Sequence, residues 1–331
     1  MSSSTLTTIQ TQLNLYGYPI FLILGNIGNV FIVILFSRQR QNPCAIYLIS
    51  SAIVNNVYLI SFGLSQIFPI YYGGETMFAW VFCKIYAYVL NVLGQIARTM
   101  LVLACVDRFL ITNERATFRA FSTLKRAKWF ILFSILFWLL FTIHIPIMRT
   151  IINGKCVLFG IYSTIYTFYA IIFVSSIPAI ILGIFGYLTY RNIRQMHLRV
   201  HPMIHTRVDS NNSIRRQDRD LLIIVISEVL LFIITTISFP LILLEMTISR
   251  YIISNKSVQY SQIEIFILTI AYLLLFANSA IPFYIYLISS KSFRRDFKQL
   301  IISAYRKLRR QPTIVTVPRT DQTIRHRETG V

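Results

Sequence analysis

The sequence predicts an all-α integral membrane protein: a seven-transmembrane-helix bundle followed by a short amphipathic helix on the cytoplasmic surface. Three observations carry this reading. The chain of 331 residues is 55% apolar and 13% charged, where a soluble domain carries about 25% charged residues. Seven long apolar runs follow one another, each bounded by a polar or charged stretch. Finally, the 32 Lys and Arg residues cluster between those runs instead of spreading along the chain.

A helix that crosses the hydrocarbon core needs roughly 20 mostly apolar residues. Seven segments meet that length, at approximately 16–37, 45–70, 80–110, 127–148, 161–190, 220–247 and 262–289. Helices satisfy their own backbone groups in lipid, and the strict alternation of barrel strands is absent. The resulting organisation is an extracellular tail over 1–15, a seven-span domain over 16–290, an amphipathic helix over 291–305 and a disordered cytoplasmic tail over 306–331. The amphipathic helix is read from Phe293, Phe297, Leu300 and Ile301 recurring at helical spacing among Lys291, Arg294, Arg295 and Lys298.

Charge sets the orientation. No Lys, Arg, Asp or Glu precedes Arg38, and 26 of the 32 basic residues fall on one side of the spans. That side is expected to be the cytoplasm, with the N-terminus outside, in a multi-pass protein of the plasma membrane. The net charge of +20 is thus a membrane-topology signal, and no nucleic-acid partner is expected. The N-terminal stretch lacks a basic n-region, so the first span is expected to act as its own insertion signal. Four cysteines without a CxxC pair suggest neither a zinc site nor redox chemistry. No catalytic triad, metal cluster or phosphate loop appears, so neither an enzyme nor a cofactor is expected. His197, His201 and His205 sit in a solvated basic loop.

The third run carries the more specific pattern. Cys83 stands near its outer end and Asp107-Arg108-Phe109 lies 25 residues later at its inner end. Gly28-Asn29 falls in the first run, Trp138 in the fourth, Pro178 in the fifth and Pro240 in the sixth. Asn278-Ser279, then Tyr286, then Phe293-Arg294 close the seventh. Together these resemble the rhodopsin-like family of G-protein-coupled receptors over about residues 20–300, with Asp107-Arg108-Phe109 similar to its Asp-Arg-Tyr signature. The segment Asn278 to Phe297 is similar to that of invertebrate neuropeptide receptors of the FMRFamide type.

The resemblance implies a disulfide between Cys83 and Cys156, the other outer cysteine, which would pin the second outer loop over the bundle; Cys44 and Cys105 stay reduced. It implies that an extracellular peptide or small-molecule ligand rearranges the helices and that a heterotrimeric G protein is engaged around Asp107, Arg108 and the 191–219 loop. Three departures stand out. Asn55 replaces the family's sodium-binding Asp in the second span. The Asn-Pro-x-x-Tyr motif has become Pro282-Phe283-Tyr284-Ile285-Tyr286, with the proline displaced by one residue. Ser238 stands where the family has a Trp before Pro240.

Two charged elements are candidates for holding an inactive state. Asp220, 20 residues before Pro240, occupies the position with which the family's Arg pairs, so an Arg108–Asp220 fork is expected; the alternative is a solvated Asp at a helix start. Arg98 and Glu228 fall at similar membrane depth on spans three and six. A charge at that depth normally has a partner, so either they pair, with Asn55 or Asn278 assisting, or each is hydrated in a polar cavity.

Ligand classes separate on single positions. No Lys occurs between Ser257 and Ser290, which excludes a retinal Schiff base, and Leu90 stands where amine receptors resemble one another in an Asp. Glu75, Glu245 and Glu264 near the outer face, with Tyr71, Tyr72, Trp80, Tyr86, Tyr162 and Tyr166, suit a cationic aromatic peptide such as an Arg-Phe-amide. The alternative for these aromatics is an interfacial belt. Asn255-Lys256-Ser257 is a glycosylation sequon on the outer side. Thr329-Gly330-Val331 resembles a PDZ-binding terminus. The competing function class is a polytopic transporter or channel, favoured by the intramembrane Arg98 and Glu228 and opposed by the absence of repeated halves.

Overall fold

The computed structural model of the protein describes residues 3–67, 77–152, 155–158, 160–199, 209–253 and 255–309. Among the described residues, seven helical spans are long and apolar enough to cross a membrane: Thr5–Ser37, Pro43–Gly63, Trp80–Thr112, Leu124–Ile147, Tyr162–Asn192, Asp220–Ile252 and Val258–Ala280. Their outward faces carry large apolar side chains such as Phe133, Leu140, Ile184 and Ile234. Lipid is the solvent that makes such faces stable.

Span one is built from α1 (Ser3–Gln12), a π-helical turn at Leu13–Gly17, and α2 (Tyr18–Ser37). The segment 1–15, expected to be a tail, is therefore helical from Ser3 and packs on span seven, where Gln10 donates to Thr269 Oγ1 at 3.0 Å. Its Ser/Thr/Gln composition hid the helix because those residues form no apolar stripe. Span two is α3 (Pro43–Ile67), opened by a proline whose missing N–H costs nothing at a helix start. Span three is α4 (Met77–Thr112), one continuous helix of 36 residues, about 54 Å long at the usual rise.

A short α5 (Ala116–Arg119) precedes α6 (Leu124–Phe141), whose first turn is capped by Thr123. The one-turn α7 (His144–Ile147) then leads to an antiparallel hairpin of β1 (Arg149–Ile152) and β2 (Lys155–Leu158), in which Ile151 faces Cys156. Span five comprises α8 (Tyr162–Tyr169), a π-helical stretch at Ala170–Ser176, and α9 (Ile177–Arg199). Span six is divided between α10 (Asp209–Thr236) and α11 (Ser238–Ile252). Span seven is α12 (Val258–Ala280), capped by Ser257, and is continued by α13 (Pro282–Ser289).

Each proline landmark coincides with a helix irregularity. A proline removes one intrahelical donor and its ring crowds the preceding turn. Pro178 follows the π-helical stretch, Pro240 lies just past the α10–α11 junction, and Pro282 opens α13.

The amphipathic α14 (Lys291–Arg309) runs four residues past the expected end at 305. Its apolar face enters the bundle: Phe293 is buried against Phe36, Phe283 and Tyr286, and Phe297 packs on Phe31 and Phe283. Arg294 donates to the carbonyls of Leu287 and Ile288 at 2.8 and 2.7 Å, closing the end of α13. Spans one and seven meet closely at two glycines. A Cβ on Gly25 would lie 2.7 Å from the Ala280 Cβ, and one on Gly28 would lie 2.9 Å from the Phe283 Cβ.

Candidate functional site

The outer halves of the helices part around a cavity of about 420 Å³, within the size range of small-ligand sites. Its walls come from spans one, two, three, five, six and seven, and from β1. Tyr58, Phe62, Phe239 and Tyr272 supply aromatic surface, and Leu90 also lines the wall. Asn91 donates to the Tyr166 hydroxyl at 3.1 Å, fixing both groups at the rim of the same space.

The Cys83–Cys156 disulfide is present. It ties the hairpin to the outer end of α4, and the hairpin in turn carries Arg149 to the cavity wall. Arg149 Nη1 lies 3.7 Å from Cys156 Sγ, and its buried Nε has no hydrogen-bond partner. Arg98 also lines the cavity; its Nη1 donates to Gln95 Oε1 at 3.3 Å, while Gln95 Nε2 donates to the Tyr169 hydroxyl at 3.0 Å.

Of the carboxylates expected to receive a cationic ligand, Glu245 and Glu264 do not line this cavity. Glu264 is buried between Lys256 Nζ at 2.6 Å and Ser249 Oγ at 2.7 Å. Glu245 accepts from the Tyr260 hydroxyl at 2.5 Å and borders a separate groove between spans six and seven. Glu75, Tyr71 and Tyr72 lie outside the described residues, as do the PDZ-like terminus Thr329-Gly330-Val331, His201, His205 and the side chain of His197. Asn255 is exposed, and Ser257 of its sequon accepts from the Tyr260 N–H at 3.1 Å.

Below the outer cavity lies a second, narrow one of about 20 Å³, lined by Ser51, Asn55, Arg98, Glu228, Asn278 and Ser279. It is large enough for a water molecule. Arg98 and Glu228 thus share a depth, as their sequence positions require, but they do not pair. Arg98 bonds Gln95, and Glu228 accepts from the hydroxyl of Tyr286. A neutral phenol satisfies the buried carboxylate without desolvating a second full charge, which is the costly part of an internal ion pair. Asn278 Oδ1 accepts from Thr235 Oγ1 at 3.1 Å, adding a second link between spans six and seven. Asn29 Nδ2 donates to the Ser279 carbonyl at 3.0 Å, and Trp138 Nε1 donates to Thr99 Oγ1 at 2.8 Å.

At the inner end, Arg108 is 1% exposed. Its Nη2 donates to Asp107 Oδ2 and to Asn42 Oδ1, both at 2.8 Å. Asp107 also accepts from Ser122 Oγ in the loop between spans three and four. The expected Arg108–Asp220 fork is not formed: among the described residues the hydrogen-bond partners of Arg108 are Asp107 and Asn42, and Asp220 lies at the start of span six without such a bond. Both of these bonds fall on the same nitrogen, Nη2. Asn42 and Ser122 went unread in the sequence. Asn42 had a local signal, since it precedes Pro43 and its Oδ1 accepts from the Cys44 N–H at 3.0 Å, as a helix-opening Asn does.

A ligand-sized cavity at one end of seven spans, joined by one unbroken helix to a buried Arg–Asp pair at the other, defines a membrane receptor. The chain matches the family model of the 7 transmembrane receptor (rhodopsin family) over residues 25–286 and belongs to that family. No curated protein matches it. The family fixes its class of action: it is a multi-pass plasma-membrane receptor, not an enzyme, that binds a ligand and signals through heterotrimeric G proteins.

Proposed function

We propose that the ligand is an extracellular peptide, a neuropeptide by the likeness of Asn278–Phe297, and that it enters the outer cavity with the N-terminus outside and the C-terminus inside. The observation that carries this is the amide chemistry of the cavity wall. Gln10, Asn14 and Asn91 all line it, and the buried Asn14 Oδ1 has no hydrogen-bond partner. A side-chain amide presents a donor and an acceptor to match those of a peptide unit. Agonist binding would shift the population toward a packing in which Tyr286 leaves Glu228 and Arg108 turns to the G protein, provided the ligand binds that packing more tightly. Asp107, Arg108, Tyr286 and the inner end of span six around Asp220 are the coupling residues in this reading.

Guanine-nucleotide exchange in membranes expressing the chain, with and without a library of synthetic neuropeptides, tests it. Exchange that rises with a peptide and is lost in Arg108→Ala is the expected result. Exchange driven by non-peptide ligands alone would overturn the peptide assignment.

A further inference from the structure

We propose that the outer cavity selects a ligand bearing a carboxylate, held by Arg149, with Arg98 adding positive charge deeper in the same wall. This rests on the reading of that cavity as the ligand site. The charge balance points the same way at every lining position. Among the described lining residues there are two guanidinium groups and no Asp or Glu. Among the described residues the outer carboxylates are consumed elsewhere, Glu264 by Lys256 and Ser249, and Glu245 by Tyr260. Among the described residues neither arginine has an acidic partner. Arg149 touches a disulfide sulfur and keeps its buried Nε unbonded, and Arg98 has only the neutral Gln95 oxygen.

Cations at membrane depth are costly unless something compensates them. A half-buried, underbonded guanidinium therefore stores affinity for an anion, and its planar donor fork matches a carboxylate. A cationic ligand would instead meet like charge from both arginines, so the same pair that attracts an acid repels an amine or an Arg-containing terminus. The aromatic wall formed by Phe62, Phe239 and Tyr272 suits an apolar side chain next to the acid. The ligand so defined is a peptide entering with a free C-terminal carboxylate. Phosphate and sulfate share the anionic chemistry and serve as the competing sources.

Purified full-length receptor would be incubated with three mixed-sequence tetrapeptide libraries, and the retained peptides counted by mass spectrometry. The libraries differ only at the C-terminus: free acid, amide, and amide following a phosphoserine. The expected result is preferential retention of the free acid over the amide. Arg149→Gln should weaken that retention about tenfold or more, as loss of one partner of a buried charged contact does. Arg149→Lys, which keeps the charge, should preserve the preference. Equal retention of acid and amide, retention of neither, or acid preference that survives Arg149→Gln would overturn the proposal, and so would preference for the phosphoserine library over the acid. No G protein takes part, so failure here is separate from failure of the nucleotide-exchange test.

Discussion

At Arg108 a charged oxygen of Asp107 and a neutral oxygen of Asn42 share one guanidinium nitrogen, each at 2.8 Å. A hydrogen bond to a charged group contributes about 1.5–3 kcal/mol, and about 1.4 kcal/mol is a factor of ten in an equilibrium. Asn42→Ala should therefore raise ligand-independent nucleotide exchange roughly tenfold while leaving Asp107 in place; basal exchange equal to wild type would show that this bond does not weigh on the switch. At Glu228 the bond from the Tyr286 hydroxyl is a link between spans six and seven. Tyr286→Phe leaves a buried carboxylate short of a donor and should lower stability by about 1–3 kcal/mol. Glu228→Gln, which still accepts, should lose less. Thermal unfolding of the two variants in detergent ranks them, and the reverse order would mean that the phenol ring, not its hydroxyl, matters.

Among the elements, the hairpin hangs on one covalent tie. The Cys83–Cys156 bond closes a loop of 73 residues, and such a link contributes about 2–4 kcal/mol. Cys156→Ser should lower the melting temperature and reduce surface display, and the double variant with Cys83→Ser should be no worse than either single one. Helix α14 is held by aromatic contact, so Phe293→Ala should cost about 3–5 kcal/mol, read as earlier unfolding in the same assay. Much of this level was legible. The prolines mark where spans five, six and seven depart from regular helix because a missing donor acts locally. The azimuth of a side chain was not legible. Each residue turns the helix by a large angle, and span ends read from hydropathy carry errors of several residues. Glu245 and Glu264, read as facing a ligand, lie outside the wall of the described cavity, and Glu245 follows the break near Pro240. Arg98 and Glu228 were correctly matched in depth, yet their partners were decided by Gln95 and Tyr286, which hydropathy does not weigh.

For the whole molecule, the distribution of Lys and Arg argues for an outside N-terminus, and Asn255 offers a way to read that orientation. If its loop is extracellular, glycosidase treatment should increase the receptor's electrophoretic mobility, and Asn255→Gln should abolish that change. A glycosidase-sensitive band that persists in Asn255→Gln would locate the sugar elsewhere. The seven-span architecture and the family were readable from composition and a few spaced residues, because lipid constrains every span in the same way. The sign of the ligand cavity was not, since it depends on which few of the outer charges face inward after packing.

Gly25 and Gly28 seat span one against Ala280 and Phe283 with no room for a side chain, and Asn29 adds a bond to the Ser279 carbonyl. These contacts divide the receptor into a stator and a rotor. Spans one and seven are keyed together along their middles, so a rearrangement that separated them there would have to break both the glycine seat and the bond. The inner half of span six is attached to span seven by side-chain hydrogen bonds that can exchange for water or for a partner. In the proposed activation the lever would be span six, and the frame it turns against the pair that glycine locks.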